Sequence, residues 1–217
     1  MLYQTAHIFV SLFAKIFFRL KVLGVENVPK RGGVIICANH NSYWDIPLLG
    51  CALPRPVDNI AKSELFRNKI IAILFRKLGG FPIRRGKIDR SAMKEAVSRL
   101  QAGRMLSYYP EGTRSKDGGL QNPKPGIGRV VSESEVVVVP VYIHGTHRAK
   151  FFRQVMIHFG KPIDFKMEIE TAGKEGMHAK ILYATISGKI MIEIAALRKQ
   201  LMDSLSSKSA SKIFGGP

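Results

Sequence analysis

The sequence predicts an α/β fold, a mixed central sheet flanked by helices, preceded by an N-terminal amphipathic membrane-associating helix. Three observations carry this. Short β-rich runs alternate with helical runs from residue 33 onward. Distinct polar motifs follow the β-rich runs directly, where α/β sheets bind ligands. The first 24 residues are apolar with a helical period.

Taken in order, residues 1–24 form the first unit. His7, Ser11, Lys15 and Arg19 recur every four residues as a narrow polar stripe. Ile8, Phe9, Val10, Leu12, Phe13, Ile16, Phe17, Phe18 and Leu20 cover the remaining surface. That face is wider than packing on a soluble core needs, and it suits a helix lying in the membrane interface. A helix packed into its own domain or a dimer is the alternative. The uninterrupted apolar runs fall short of the ~20 residues that span a bilayer. Cations within and after the run, with no small-residue cleavage site behind them, argue against a secretory signal.

Residues 25–204 read as the α/β domain. "GVIICA" (33–38) is a buried strand, followed by a short helix over about 45–53. "VDNIAK" (57–62) is the second strand, and 63–80 one helix ended by Gly79 and Gly80. "FPI" (81–83) is a brief third strand. Asp89 caps a helix through Ala102, with Gly103 at its stop. "RMLSYY" (104–109), "VVVVPVYIHG" (136–145) and "VMIHFG" (155–160) are further strands, and a long helix covers about 178–204. Residues 205–217 form a Ser/Lys/Gly tail expected to be disordered.

The charge selects partners rather than a fold. Thirty-four basic against sixteen acidic residues give +18, an excess that favours polyanions, phosphorylated small molecules or anionic lipid. Cys37 and Cys51 are too few to staple a domain of 217 residues, so no disulfide and a reducing compartment are expected. His144 and His147 lack carboxylate or cysteine partners at metal spacing, and no GxxxxGK[ST] loop is present. Neither a metal site nor a Walker-type nucleotide site is expected.

Four motifs remain. In "NHNSYWD" (39–45), His40 and Asp45 would lie roughly 140° apart on a helix. They meet only if His40 sits in the loop and Asp45 opens the following helix. The carboxylate would then fix one imidazole tautomer and leave the other nitrogen as a base. Spacing alone favours the plainer reading, a loop histidine beside a helix cap. In "FPIRRGK" (81–87), Arg84 and Arg85 suit phosphate through their planar forks, unless they are merely part of a solvated basic surface. In "YPEGTRS" (109–115), Glu111, Gly112, Thr113 and Arg114 combine a carboxylate, a flexible backbone, a hydroxyl and a guanidinium. That set fits a small polyol phosphate, with Lys124 adding a nearby cation, although "PEG" and "DGG" also make plain surface turns. Cys37 lies inside an apolar strand, where free cysteine is inert filler.

Together the motifs resemble the glycerolipid acyltransferase superfamily, and most nearly its 1-acyl-sn-glycerol-3-phosphate acyltransferases. The resemblance rests on an ordered set: NHxxxxD at Asn39-His40…Asp45, FPIRR at 81–85, EGTR at 111–114 and VPV at 139–141. It covers about residues 33–146. It implies transfer of a fatty acyl group from an acyl thioester, on coenzyme A or acyl carrier protein, to the sn-2 hydroxyl of 1-acyl-sn-glycerol 3-phosphate. His40 would be the general base oriented by Asp45, with no covalent acyl-enzyme and no cofactor. Arg84, Arg85, Glu111, Gly112, Thr113, Arg114 and Lys124 would hold the glycerol phosphate, and Pro140 would shape the acyl-donor pocket. A membrane-associated location at the cytoplasmic face of a bacterial inner membrane is implied; from the residues themselves, two apolar helices, 5–23 and the basic segment "LFRNKIIAILFRKL", could form the membrane platform. The stretch "NPKPGIGR" departs from the aromatic-Lys-x-Gly pattern common in the family.

Other readings remain open from the residues. The acceptor could be another lysophospholipid or a lyso-aminolipid, or the same base could activate water in a thioesterase. A non-catalytic basic module binding membrane or nucleic acid is the rival of a different class. Nucleic acid is not expected, because the aromatics concentrate in the first helix instead of interleaving with the cations.

Overall fold

Val34–Ala38 is buried at every position, an apolar run that only a strand covered on both faces can use. In the computed structural model, which describes residues 12–14, 16–84, 89–147 and 152–214, it lies at the centre of the sheet. The strands are β1 (Lys21–Leu23), β2 (Val34–Ala38), β3 (Val57–Lys62), β4 (Gly80–Ile83), β5 (Met105–Tyr108), β6 (Val137–His144) and β7 (Met156–Phe159). Among the described residues they form one sheet in the order β1-β7-β6-β2-β5-β3-β4. Strands β4, β3, β5, β2 and β6 are mutually parallel, and β7 runs antiparallel to β6. The sheet is therefore mixed, as expected.

Successive β2 side chains enter opposite layers. Ile35 and Cys37 join Leu106, Val138 and Tyr142 beneath helices α3 (Arg90–Gln101), α4 (Gly126–Ser134) and α6 (Ala179–Phe214). Val34, Ile36 and Ala38 join Val139, Val141 and Ile143 on the other face, covered by Leu48 and Leu49 of α1 (Asp45–Ala52) and by Ala14 and Phe18. Pro140 is accommodated in β6 because its carbonyl accepts from Gly160 N–H just past the last β6–β7 pair, Val141 with Phe159. Its missing N–H would point to that same side, so no ladder bond to β2 is lost.

Several elements differ from expectation. Residues 12–14 and 16–18 are helical, but Arg19 takes a positive φ of 43° and the chain becomes β1, paired in parallel with β7. The helix expected through residue 24 ends there, because Val22 and Leu23 find a strand partner more than 130 positions away. Residues 63–80 are not one helix. A 3-10 turn, Ser63–Phe66, precedes α2 (Lys69–Lys77), because the Asn68 side chain caps α2 by accepting from Ile70 N–H and Ile71 N–H. Two further helices, α4 and α5 (Lys166–Lys174), occupy stretches left unassigned by the sequence reading. The last helix runs to Phe214, past the end near 204 that Ser/Lys composition suggested; no glycine or proline occurs between residue 204 and Gly215. By contrast, Asp89 caps α3 by accepting from Ala92 N–H, as expected. No helix of the described residues is long and apolar enough to cross a membrane.

Candidate active site

Because β2, β3, β4, β5 and β6 run parallel, their carboxyl ends meet at one edge of the sheet, and the polar motifs meet with them. The loop after β2 is fixed first. Buried Asn39 accepts from Ile143 N–H at 2.7 Å and donates to Ile143 C=O at 3.0 Å, so it clamps the loop to the end of β6. His40 then leaves the strand, and Asp45 opens α1. His40 Nδ1 and Asp45 Oδ2 are 2.8 Å apart, with Asp45 fully buried.

The same Asp45 oxygen accepts from Asn41 N–H at 2.6 Å and Ser42 N–H at 2.7 Å. Both are backbone donors, so this oxygen must act as an acceptor, and His40 Nδ1 must carry the proton it donates. The lone pair is thereby placed on Nε2. Tyr109 stacks on the imidazole with ring centroids 4.2 Å apart and holds its plane. Ser115 N–H donates to His40 C=O at 2.7 Å and ties this loop to the one after β5. The pair has the geometry of a base held by an orienting carboxylate, and the helix-cap alternative is absorbed: Asp45 serves the loop backbone and the imidazole together.

His40 opens into a cleft of about 380 Å³ lined also by Ile60, Ile83, Arg84, Ser107, Tyr108, Tyr109, Pro110, Gly112, Thr113 and Lys124. Five residues singled out from sequence, His40, Arg84, Gly112, Thr113 and Lys124, thus share one cavity. Gly112 has φ 69°, and a Cβ there would lie 3.0 Å from Lys124 Cδ. The absent side chain lets the Lys124 stem lie across the turn, so the ammonium stands at the cleft wall. Arg84 is exposed and is oriented by Asp89, which accepts from its backbone N–H at 2.9 Å and its Nε at 3.2 Å. Nε is one of five donors, so the distal fork remains for an anion.

Three other residues are placed differently. Glu111 is buried beneath the cleft, where it accepts from Gln121 Nε2 at 3.1 Å. Arg114 stands 3.6 Å over the exposed Tyr43 ring and donates to its hydroxyl at 3.0 Å. Neither Glu111 nor Arg114 lines the cleft. Pro140 is buried within β6, its ring against Gly160 on the face of the sheet that packs under α6, and it does not line the cleft either. Arg85 lies outside the described residues.

The electrostatics follow the burial. Glu111 is pushed up to about 7, chiefly by burial and further by the Asp45 charge, while hydrogen bonds from the His40 backbone N–H and Gln121 offset part of the rise. Burial, with the Asp45 charge behind it, holds the Tyr109 hydroxyl well above its usual range, so the ring stacked on His40 stays neutral. Burial likewise pushes the Cys37 thiol far up, which leaves it an apolar filler. Asp89 is held well below the ordinary carboxylate range by the Ser91 hydroxyl, and by the backbone and side chain of Arg84. Among the described residues, no three His, Cys, Asp or Glu side chains are grouped to hold a metal ion.

Sequence reasoning missed Asn39's clamp, the Tyr109 stack and Ser107 of the cleft. Tyr109 carried a usable signal, as the aromatic just past a strand and two residues before the EGTR turn. The Asn39–Ile143 contact joins positions 104 apart and carried none.

The comparisons agree with this geometry. A family model described as Acyltransferase matches residues 19–144. The chain is 32% identical over 149 residues to the 1-acyl-sn-glycerol-3-phosphate acyltransferase LPAT1 of Arabidopsis thaliana chloroplasts, covering 64% of this chain and 41% of that one. It is 32% identical over 133 residues to the 1-acyl-sn-glycerol-3-phosphate acyltransferase of Bacillus subtilis, covering 60% and 65%. The chain thus spans less than two thirds of the length of these relatives. The crystal structure of the 1-acyl-sn-glycerophosphate (LPA) acyltransferase PlsC from Thermotoga maritima superposes with a TM-score of 0.66 at 28% identity. That match covers 87% of this chain and 78% of that one. With the motif set, the sheet and the His–Asp pair in accord, this chain belongs to the acyltransferase family.

Proposed function

We propose that the protein transfers a fatty acyl group from an acyl thioester, acyl-CoA or acyl-ACP, to the sn-2 hydroxyl of 1-acyl-sn-glycerol 3-phosphate, giving phosphatidate. The observation that carries this reading is the position of His40: its Nδ1 is bound to Asp45 and its ring faces a cleft walled by Arg84 and Lys124. An acceptor with a free hydroxyl beside a phosphate fits that pairing of base and cations. Nε2 takes the hydroxyl proton as the oxygen attacks the thioester carbonyl. The tetrahedral adduct collapses, the C–S bond breaks, and the imidazolium returns its proton to the leaving thiolate. Asp45 stabilises the imidazolium between those two transfers.

Within this reading the residues divide the work. Arg84 and Lys124, with Arg85 next to Arg84 in sequence, hold the phosphate, and Gly112 and Thr113 offer backbone and hydroxyl contacts to the glycerol. Arg114 acts from outside the cleft through Tyr43. Glu111 supports the loop from below instead of touching substrate. Pro140 would act only indirectly, by shaping the strand that the acyl donor approaches. The exposed Leu12 and Ile16, beside the packed Ala14 and Phe18, fit a segment that lies on its domain and in the leaflet together. The protein would work on a bacterial membrane from its cytoplasmic face.

The test presents purified protein with an acyl thioester and a panel of lysolipids in mixed micelles. Phosphatidate formed from lysophosphatidate at least ~10-fold faster than product from lysophosphatidylcholine supports the reading. Equal rates across headgroups contradict the assigned acceptor, and no product from any lysolipid contradicts the activity.

A further inference from the structure

The segment between β3 and β4 is peripheral in an unusual way. No residue of the Ser63–Phe66 turn or of α2 is buried. Ile70 is 79% exposed, Ile73 56% and Leu74 47%, with Ile71 and Leu65 also exposed. Ile70, Ile73 and Leu74 share one helix face by their i, i+3, i+4 spacing, and Ile71 flanks it. The face that holds α2 to the protein is aromatic: Phe75 packs beside Gly80, and Phe66 meets Phe75 with ring centroids 6.0 Å apart. Arg76 lies over the Phe66 ring. Among the described residues the aliphatic side is left without a partner, and contiguous large aliphatics on a surface mark an interaction site.

The rim identifies the partner. Lys62, Arg67, Lys69, Arg76 and Lys77 are all exposed around this face, against the single acidic Glu64. Two copies of the chain meeting here would bring these cations together, and an acidic surface is what the rim complements. Apolar side chains inside a ring of Lys and Arg match a helix seated in an anionic lipid interface, with its cations at headgroup level. The location adds to this. Ile60 from β3, and Ile83 and Arg84 from the end of β4, line the cleft, so both strands joined by this segment lead to the cleft mouth.

We propose that α2 and the turn before it insert into an anionic leaflet, as a lipid contact separate from the N-terminal segment, and bring the cleft mouth to the lipid. A single-chain lipid then passes from the leaflet along Ile60 and Ile83 toward His40. Only this second step rests on the acyltransferase reading.

The test uses the full chain with Cys51→Ser and Ile73→Cys, labelled at position 73 with a polarity-sensitive fluorophore. The probe surface is vesicles of phosphatidylglycerol or of phosphatidylcholine. Phosphatidylglycerol vesicles should shift the emission to the blue, high salt should reverse the shift, and phosphatidylcholine should give little. In unlabelled protein, Ile70→Asn with Ile73→Asn should weaken phosphatidylglycerol vesicle binding by at least ~10-fold, with an unchanged melting curve. Turnover of vesicle-borne lysolipid should fall in that variant, while turnover of a monomeric short-chain lysolipid should not. No blue shift in protein that still floats with the vesicles overturns the proposal. So does a shift that rises with protein concentration alone, which would mean a second copy covers the face. Absence of turnover with the blue shift intact refutes the acyltransferase reading and leaves the lipid contact standing.

Discussion

Asp45→Asn separates the charge of the orienting residue from its shape. Oδ2 accepts two backbone N–H groups and the His40 Nδ1–H, whereas Oδ1 has no hydrogen-bond partner. An asparagine therefore places its oxygen where Oδ2 was, because the reverse orientation would face an NH2 against two fixed backbone donors. The histidine keeps its tautomer and position, and only the negative charge is lost. The new NH2 is buried without an acceptor, at a cost of about 1–3 kcal/mol in stability. In the transition state the imidazolium loses a counter-charge ~4 Å away, worth about 4 kcal/mol at an effective dielectric of 20. The expected result is a kcat lowered ~10²–10⁴-fold, with KM for lysophosphatidate within about 3-fold, since Asp45 does not line the cleft. Thiol release from the acyl thioester, with urea unfolding alongside, measures both. A kcat within ~5-fold of wild type would refute the assigned role of the carboxylate.

Two further outcomes follow from buried groups elsewhere. Glu111 is raised to about 7 in the folded protein, so the fold holds a proton that the unfolded chain releases from near 4.5. Its stabilising contribution is complete below about pH 4.5 and is lost as pH rises through 7. Urea midpoints at pH 5 and pH 8 should fall less in Glu111→Gln than in wild type, by the equivalent of about 2–3 kcal/mol, and parallel pH curves would disprove the coupling. Gly128→Ala should cost ~2–3 kcal/mol, because its Cβ would sit 2.1 Å from the Tyr183 carbonyl oxygen where α4 crosses α6. An unchanged unfolding midpoint would mean that the two helices do not pack at this point.

What could be read from sequence was what local pattern encodes. β3 matches its expected span, Val57–Lys62, and the Asp89 cap was readable because its partner Ala92 is three residues away. Helix α4 was not. "GIGRVVSES" holds two glycines and two valines, poor helix formers, and it is helical because Ile127, Val130 and Val131 are buried and Gly128 admits the α6 backbone. β1 was hidden for a related reason, since its partner is β7 and its local sequence continues an apolar helical pattern. At the site, the pairing of His40 with Asp45 was legible because the strand-loop-helix pattern demanded it. The roles of Glu111 and Arg114 were not, because charge and spacing do not reveal which way a side chain turns. Glu111 turns inward to Gln121 and Arg114 outward to Tyr43.

The most direct test of the account is single-turnover acyl transfer to labelled lysophosphatidate by wild type and His40→Ala. Among the described residues the His40 side chain is hydrogen-bonded to Asp45, and its backbone bonds to Ser115 and Glu111 survive alanine, so the variant should remain folded by circular dichroism. Loss of at least ~100-fold in rate is expected from removing a general base. Folded His40→Ala protein that transfers the acyl group at near the wild-type rate would contradict the central claim.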